Sequence, residues 1–267
     1  KKIFIKNKYL NLLTPSRSEV DLRDFSTVEN WFSENKPSVV IIAAARVGGI
    51  LANAQNPVDF LLDNLKIQNN LIENAFSFNT RRLLFLGSSC IYPKATRQPI
   101  KEEYLMTGSL EKTNESYALA KIAGLKLCEA LRIQKEFDAI SLMPTNLYGT
   151  GDNYHPQLSH VLPGLIRRFS EAKAFSKKTV TCWGTGRPLR EFLHVRDLAS
   201  ACLFVLENWD PNKNNAPKDS EGVKLCHLNV GTGKEISIKE LAEKIANLIN
   251  YEGEIIWDKS KPDGTFR

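Results

Sequence analysis

Three short apolar runs do most to constrain what this chain can fold into: Val39-Val40-Ile41-Ile42, Leu83-Leu84-Phe85-Leu86 and Ala139-Ile140-Ser141-Leu142. Each has strand length and is apolar at successive positions, as a strand must be when both faces of its parallel sheet are covered. Between them lie stretches of helical periodicity, residues 56–77 and 115–137. Parallel neighbours are joined by crossovers of a dozen residues or more, and such helices supply them. The alternation predicts an α/β fold, a doubly wound parallel sheet of the Rossmann type with right-handed connections. With 267 residues, 42% of them hydrophobic, the chain can build the core that such a sheet requires.

After Gly149 the texture changes. Helical patterns at residues 160–172, 195–207 and 237–249 alternate with Gly-, Pro- and Asn-rich loops, and the polar stretch 210–222 reads as a mobile surface loop. Residues 1–149 are therefore expected to form a dinucleotide-binding domain. Residues 150–267 are expected to form mainly a smaller C-terminal substrate-binding lobe, with some chain returning to the sheet.

The start of the chain does not fit this scheme as written. Residues 2–5 and 9–13 both read as strands, with only Lys6-Asn7-Lys8 between them. Three residues cannot make a parallel crossover. Either the two strands are antiparallel or a segment is absent after Ile5, and the second is expected.

Composition narrows the function. A net charge of +6 suits solubility, or the attraction of an anionic ligand such as a nucleoside diphosphate. No Lys/Arg block interleaves with aromatics, so nucleic acid is not an expected partner. No apolar run reaches membrane-spanning length and no signal-peptide pattern opens the chain, so no membrane association is expected. The five cysteines are widely spaced without a Cys-x-x-Cys pair. Neither a metal site nor a disulfide framework is expected, and a reducing cytoplasm fits best.

Chemistry concentrates at the ends of the expected strands, where open α/β sheets bind ligands. The second run leads into Gly87-Ser88-Ser89-Cys90-Ile91-Tyr92-Pro93, the third into Met143-Pro144-Thr145-Asn146-Leu147-Tyr148-Gly149, and the first into Ala43-Ala44-Ala45-Arg46-Val47-Gly48-Gly49. Tyr117-Ala118-Leu119-Ala120-Lys121 lies in a helical pattern, so Tyr117 and Lys121 share one face a turn apart. A lysine ammonium beside a phenol favours the phenolate, and the pairing predicts a lowered Tyr117 pKa suited to proton transfer. Arg17 follows the second N-terminal run, where an acidic residue would hold the ribose 2′-hydroxyl of NAD. An arginine there accommodates a 2′-phosphate instead, which favours NADP.

Ser88 followed by Tyr117-x-x-x-Lys121 after βαβ units resembles the extended branch of the short-chain dehydrogenase/reductase superfamily. Longer strings are similar to the GDP-L-fucose synthase family within it. They are the Gly87–Pro93 and Met143–Gly149 strings above, Ser116-Tyr117-Ala118-Leu119-Ala120-Lys121-Ile122-Ala123-Gly124, Arg190-Glu191-Phe192-Leu193-His194-Val195, Asn229-Val230-Gly231-Thr232-Gly233 and the closing Ser260-Lys261-Pro262-Asp263-Gly264-Thr265. The resemblance implies NADPH-dependent epimerisation of GDP-4-keto-6-deoxy-D-mannose at C3 and C5, then reduction at C4. It assigns Ser88, Tyr117 and Lys121 to the reduction. It assigns Cys90 and His160 to the proton transfers of epimerisation, for which a thiol and an imidazole titrate close enough to neutrality. Cofactor contacts are implied for Leu86, Gly87, Ser88 and Lys121, and for Pro144, Asn146, Leu147 and His160, beside Arg17. GDP-sugar contacts are implied for Arg168, Trp183, Arg190 and Asp263. A homodimer through residues 56–77 and 115–137 is also implied. His155 and His194 are expected to be structural, and Cys128, Cys182, Cys202 and Cys226 inert.

Two departures stand out. The family opens with a Gly-x-x-Gly-x-x-Gly turn after its first strand and none occurs here, which coincides with the impossible connection after Ile5. The family also continues beyond Arg267, so a truncated C-terminus is expected. Two alternatives stay open: another extended short-chain nucleotide-sugar epimerase or dehydratase, which would need neither Cys90 nor His160, and a non-catalytic NADP-binding paralogue.

Overall fold

The computed structural model describes residues 1–9, 11–156, 158–261 and 263–267. In chain order its elements are α1 (Lys2–Lys6), α2 (Phe25–Asn35), β1 (Val39–Ile42), α3 (Ile50–Gln55), α4 (Pro57–Ser77), β2 (Arg82–Leu86), α5 (Glu115–Lys135), β3 (Ala139–Pro144) and β4 (Asn146–Tyr148). There follow α6 (Val161–Ala174), β5 (Thr179–Trp183), β6 (Leu189–His194), α7 (Val195–Asn208), β7 (His227–Val230), β8 (Glu235–Ser237), α8 (Ile238–Ile249) and β9 (Glu254–Asp258).

The three apolar runs become neighbouring parallel strands, and β7 adds a fourth, in the order β1-β2-β3-β7. Ile42 lies opposite Phe85, Leu86 opposite Leu142 and Pro144 opposite Val230, so the strands finish at one end of the sheet. Period-two alternation sends Leu83 and Phe85 of β2 to one face, where they pack with Phe32 of α2, Ile72 of α4 and Leu125 of α5. Leu84, with Ile140 and Leu142 of β3, faces the other way and packs against Leu198, Cys202 and Val205 of α7. Helices thus cover both faces, as a Rossmann-type sheet requires. All six residues of β3 are buried. Each fully buried large apolar side chain contributes roughly 1.5–3 kcal/mol.

The long helices α4 and α5 pack side by side. The Gln68 amide donates to the Ala120 carbonyl at 2.6 Å. Gly124 permits this approach, because a Cβ there would lie 2.7 Å from the Phe85 ring and 2.8 Å from Gln68. A second core joins Leu165 and Phe169 of α6, Val180 and Cys182 of β5, and Leu241 and Ile245 of α8, with Ile255 and Trp257 of β9 against it. Among the described residues no helix is long and apolar enough to cross a membrane.

The structure corrects the reading of the first residues. Residues 2–5 are not a strand: they lie in α1, which packs against α7. A lone strand has no ladder for its N–H and C=O groups, whereas a helix satisfies them locally, as in Ile5 N–H to Lys1 O at 3.1 Å. Residues 9 and 11–13 form no strand either, and Leu10 lies outside the described residues. The Tyr9 hydroxyl instead donates to Glu207 at 2.7 Å. The stretch 210–222 does lie at the surface, but it is pinned rather than loose. Ser220 N–H donates to Glu103 and Lys224 donates to the Asn212 carbonyl, each at 2.6 Å.

Candidate active site

Three strand ends open into one cleft of about 1000 Å³. At the end of β2 the chain passes close to β3 at Gly87, where a Cβ would sit 2.3 Å from the Met143 sulfur. Ser88 then caps a single 3-10 turn, Ser89–Ile91, its Oγ accepting from Cys90 N–H at 3.4 Å. That cap presents Ser88 and Cys90 side by side on the cleft wall. Pro144 closes β3, and Asn146 and Leu147 follow on β4, with the Asn146 amide donating to the Glu191 carbonyl at 3.0 Å. From β1 come Val47, Gly48 and Gly49. Tyr117 enters from the first turn of α5 and His160 from the N-cap of α6.

Lys121 lies behind that wall, buried one turn beyond Tyr117. Its ammonium donates to the Leu86 carbonyl at 2.8 Å and stands 4.7 Å from the Phe85 ring centre and 6.0 Å from that of Tyr117. Burial lowers the Lys121 pKa to about 8, with the nearby Cys90 opposing. The expected lowering of Tyr117 does not occur. Burial, and then Cys90, raise its pKa well above the ordinary phenol value. Desolvation outweighs the pairing, because the lysine proton is directed at Leu86 rather than at the phenol. Tyr117 is therefore held protonated, which is the state of a proton donor.

The proposed proton-transfer pair is also displaced from neutrality, in opposite directions. Burial pushes the Cys90 thiol up to about 11, against the hydrogen bond from Ser88 and the charge of Lys121. Desolvation lowers His160 below its ordinary 6.5, with Asp152 opposing. At pH 7 both groups are neutral.

The far end of the cleft is cationic. The Arg168 guanidinium lies 5.4 Å and the Lys261 ammonium 5.7 Å from the Trp183 ring, within cation–π range. Trp183 is 38% exposed, so its indole is available to a ligand. Arg190 lines the same region and donates to the Leu189 carbonyl at 2.7 Å. Burial lowers its pKa, while Asp263 and Glu111 oppose.

Two further residues of the expected site lie as follows. Asp263 reaches the cleft, but its two oxygens accept from Thr185 N–H at 2.6 Å and the Thr185 hydroxyl at 2.8 Å. It fastens the closing segment over the site and is already partnered; Pro262 of that segment lies outside the described residues. Arg17 is not among the described residues lining the cleft. It sits on an exposed turn near Asp21, whose carboxyl its charge helps lower. Among the described residues, no strand leads to Thr14.

Other participants escaped sequence reading. Glu191 accepts from the backbone N–H groups of Thr232 and Gly233, bracing the 229–233 loop against the cleft. The Tyr92 hydroxyl donates to Asn229 at 2.7 Å from the opposite side. Thr145 Oγ1 and Asn114 Oδ1 are buried at the cleft wall without a protein hydrogen-bond partner. Their one sequence signal was position, next to Pro144 and three residues before Tyr117.

The model of the NAD dependent epimerase/dehydratase family matches residues 5–219. The chain belongs to that family. Within it, the chain is similar to the GDP-L-fucose synthases. It is 53% identical over 259 residues to GDP-L-fucose synthase 1 of Arabidopsis thaliana, covering 97% of this chain and 76% of the relative. It is 48% identical over 262 residues to the GDP-L-fucose synthase of Escherichia coli, covering 97% and 79%. A GDP-mannoheptose C4 reductase from Campylobacter jejuni, solved with NADP bound, superposes with a TM-score of 0.84 at 37% identity, over 97% of this chain and 82% of that one.

Proposed function

We propose that this chain converts GDP-4-keto-6-deoxy-D-mannose to GDP-L-fucose, inverting C3 and C5 and then reducing the C4 ketone with NADPH. One observation carries the reading: a single cleft brings Ser88, Cys90, Tyr117 and His160 together at the strand ends, with Arg168, Trp183 and Arg190 at the far end. The naming of the Arabidopsis and Escherichia coli relatives and the NADP of the Campylobacter structure support it.

The residues at the sheet fit the nicotinamide end of the cofactor. Thr145 Oγ1 and Asn114 Oδ1 are buried polar atoms without protein partners at the cleft wall. Gly87, Ser88, Lys121, Pro144, Asn146 and Leu147 surround the same strand ends and would hold it. When bound, NADPH supplies the hydride for C4.

The chain's own residues do the rest. The Ser88 hydroxyl and the Tyr117 phenol donate hydrogen bonds to the C4 oxygen. The same contacts stabilise the enolate formed when a proton leaves C3 or C5, since its negative charge falls on that oxygen. Cys90 and His160 remove and return those protons, one carbon at a time. In the reduction Tyr117 gives its proton to the C4 alkoxide, and the buried Lys121 charge offsets that of the phenolate left behind. The smaller lobe around α6, β5, α8 and β9 holds the GDP-sugar, with Arg168 and Arg190 on the diphosphate and Trp183 against base or sugar.

The assembly is a homodimer through α4 and α5, which leave Val58 68%, Leu62 46% and Leu119 47% exposed. Its five free cysteines suit a cytoplasmic location. The test is incubation of the sugar and NADPH in deuterated water, followed by NMR. GDP-L-fucose deuterated at C3 and C5 is expected. A reduced but unepimerised GDP-sugar would exclude the epimerase.

A further inference from the structure

We propose that Glu111 holds the C2 hydroxyl of the GDP-sugar, and so sets selectivity at a carbon that neither epimerisation nor reduction touches. The inference rests on the proposed reaction and adds a residue to its sugar site.

Glu111 stands in the turn that leads into α5, where its carbonyl accepts from Asn114 N–H at 3.1 Å. It lines the cleft with Cys90, Lys94 and Tyr117, yet it is only 8% exposed. Its Oε1 accepts a long bond from Thr113 N–H at 3.5 Å. Its Oε2 lies 2.8 Å from the Lys94 ammonium, an ion pair whose angles do not make a hydrogen bond. Among the described residues, Oε2 of Glu111 is the only carboxylate oxygen that is buried without a hydrogen-bond partner. Other acids of the cleft are committed: Asp263 to Thr185, Glu191 to Thr232 and Gly233, Glu235 to Arg267 and Asp152 to Asn153 N–H. A buried charge needs both a counter-charge and hydrogen bonds. Lys94 supplies the first. A ligand hydroxyl in the cleft would supply the second.

The shape of a pyranose says which hydroxyl. Its C1 and C4 are opposite corners. In the proposed pose C4 meets Ser88 and Tyr117, and the diphosphate on C1 meets Arg190. Glu111 belongs to both neighbourhoods. Its turn leads to Tyr117, and its charge reaches Arg190, where burial lowers the guanidinium pKa and Asp263 and then Glu111 oppose that lowering. Glu111 therefore lies along an edge between the two corners. One edge runs through C5 and the ring oxygen and carries no hydroxyl. The other runs through C2 and C3, each with one. A carboxylate only accepts hydrogen bonds, so it suits the second edge. The C3 hydroxyl reorients when C3 is inverted, and a fixed acceptor would serve one epimer alone. The C2 hydroxyl keeps its configuration from substrate to product, so Glu111 can hold it through every step.

A hydrogen bond from a ligand to a buried carboxylate is worth about 10–100-fold in affinity, and a site built for a hydroxyl rejects the analogue lacking it. The test is calorimetric titration with GDP-mannose and GDP-2-deoxymannose. The unmodified chain should bind the deoxy sugar about 10–100-fold more weakly. Glu111→Ala should weaken GDP-mannose by a similar factor and GDP-2-deoxymannose by less than ~3-fold, so that the two bind alike. Glu111→Gln, which keeps the side chain's volume but not its charge, should reduce the discrimination to below ~10-fold. Equal binding of the two sugars by the unmodified chain overturns the proposal. So does a variant that weakens both ligands equally, since a purely structural Glu111 would do that. A chain that discriminates as expected but takes up no deuterium at C3 and C5 of the keto sugar keeps the subsite and overturns the epimerase reaction; one that binds neither GDP-sugar overturns both.

Discussion

Replacing Lys121 by methionine should make the protein more stable at pH 7 while destroying its reductase activity. Lys121 is 3% exposed, and its pKa falls from 10.5 to about 8. At about 1.36 kcal/mol per pH unit, carrying the buried charge costs about 3 kcal/mol. Methionine fills a similar volume without that charge, but it forfeits the 2.8 Å bond to Leu86, which is worth roughly 1–2 kcal/mol. The net gain is about 1–2 kcal/mol at pH 7, or roughly 3–6 °C in Tm for a chain of this size. The gain depends on pH. Between about 8 and 10.5 the unfolded state binds more protons than the native state, so the unmodified protein gains stability as pH rises through that window. By pH 10 native Lys121 is mostly neutral and the remaining cost, from the still largely charged unfolded side chain, is below about 1 kcal/mol, so the lost hydrogen bond should make Lys121→Met the less stable. Urea unfolding at pH 7 and pH 10 measures both differences. A variant less stable than the parent at pH 7, or a difference that does not change sign, would refute burial as the dominant influence on Lys121.

Tyr117→Phe removes the protonated phenol and should lower C4 reduction by about 10²–10⁴; deuterium exchange at C3 and C5, measured by NMR, should persist at a reduced rate because Ser88 remains. Exchange should need neutral His160, whose pKa is lowered by desolvation, so the acid limb of its pH profile should have a midpoint below 6.5; a midpoint above that value would show that burial does not govern this group. Asp263→Ala releases Thr185 from two hydrogen bonds and should cost roughly 1–3 kcal/mol of stability and raise KM for the GDP-sugar more than it lowers kcat; an unchanged KM would show that the closing segment does not shape the site.

The candidate site residues were legible wherever a local pattern fixes their place. Continuous apolar runs marked β1, β2 and β3, because a strand buried on both faces has no polar positions. The strand ends then located Ser88, Cys90, Pro144 and Asn146, since the chain must leave the sheet there. Helical spacing put Tyr117 and Lys121 on one face. The connection that looked impossible after Ile5 rested on reading residues 2–5 and 9–13 as strands, and the described residues of neither form one.

Tertiary structure decided whatever depends on surroundings supplied by distant parts of the chain. Residues 2–5 have strand composition yet coil into α1, which packs against α7. Spacing alone predicted that Lys121 would lower Tyr117; the fold turned the ammonium toward Leu86, 35 residues away, and desolvation raised the phenol instead. Asp263 lines the cleft as expected of a site residue, but that each of its oxygens also accepts a hydrogen bond from Thr185, 78 residues earlier, was not legible. A sequence specifies which groups are available and on which face of a local element they lie. Their charge states and partners follow from burial and from long-range neighbours, and those exist only once the chain has folded.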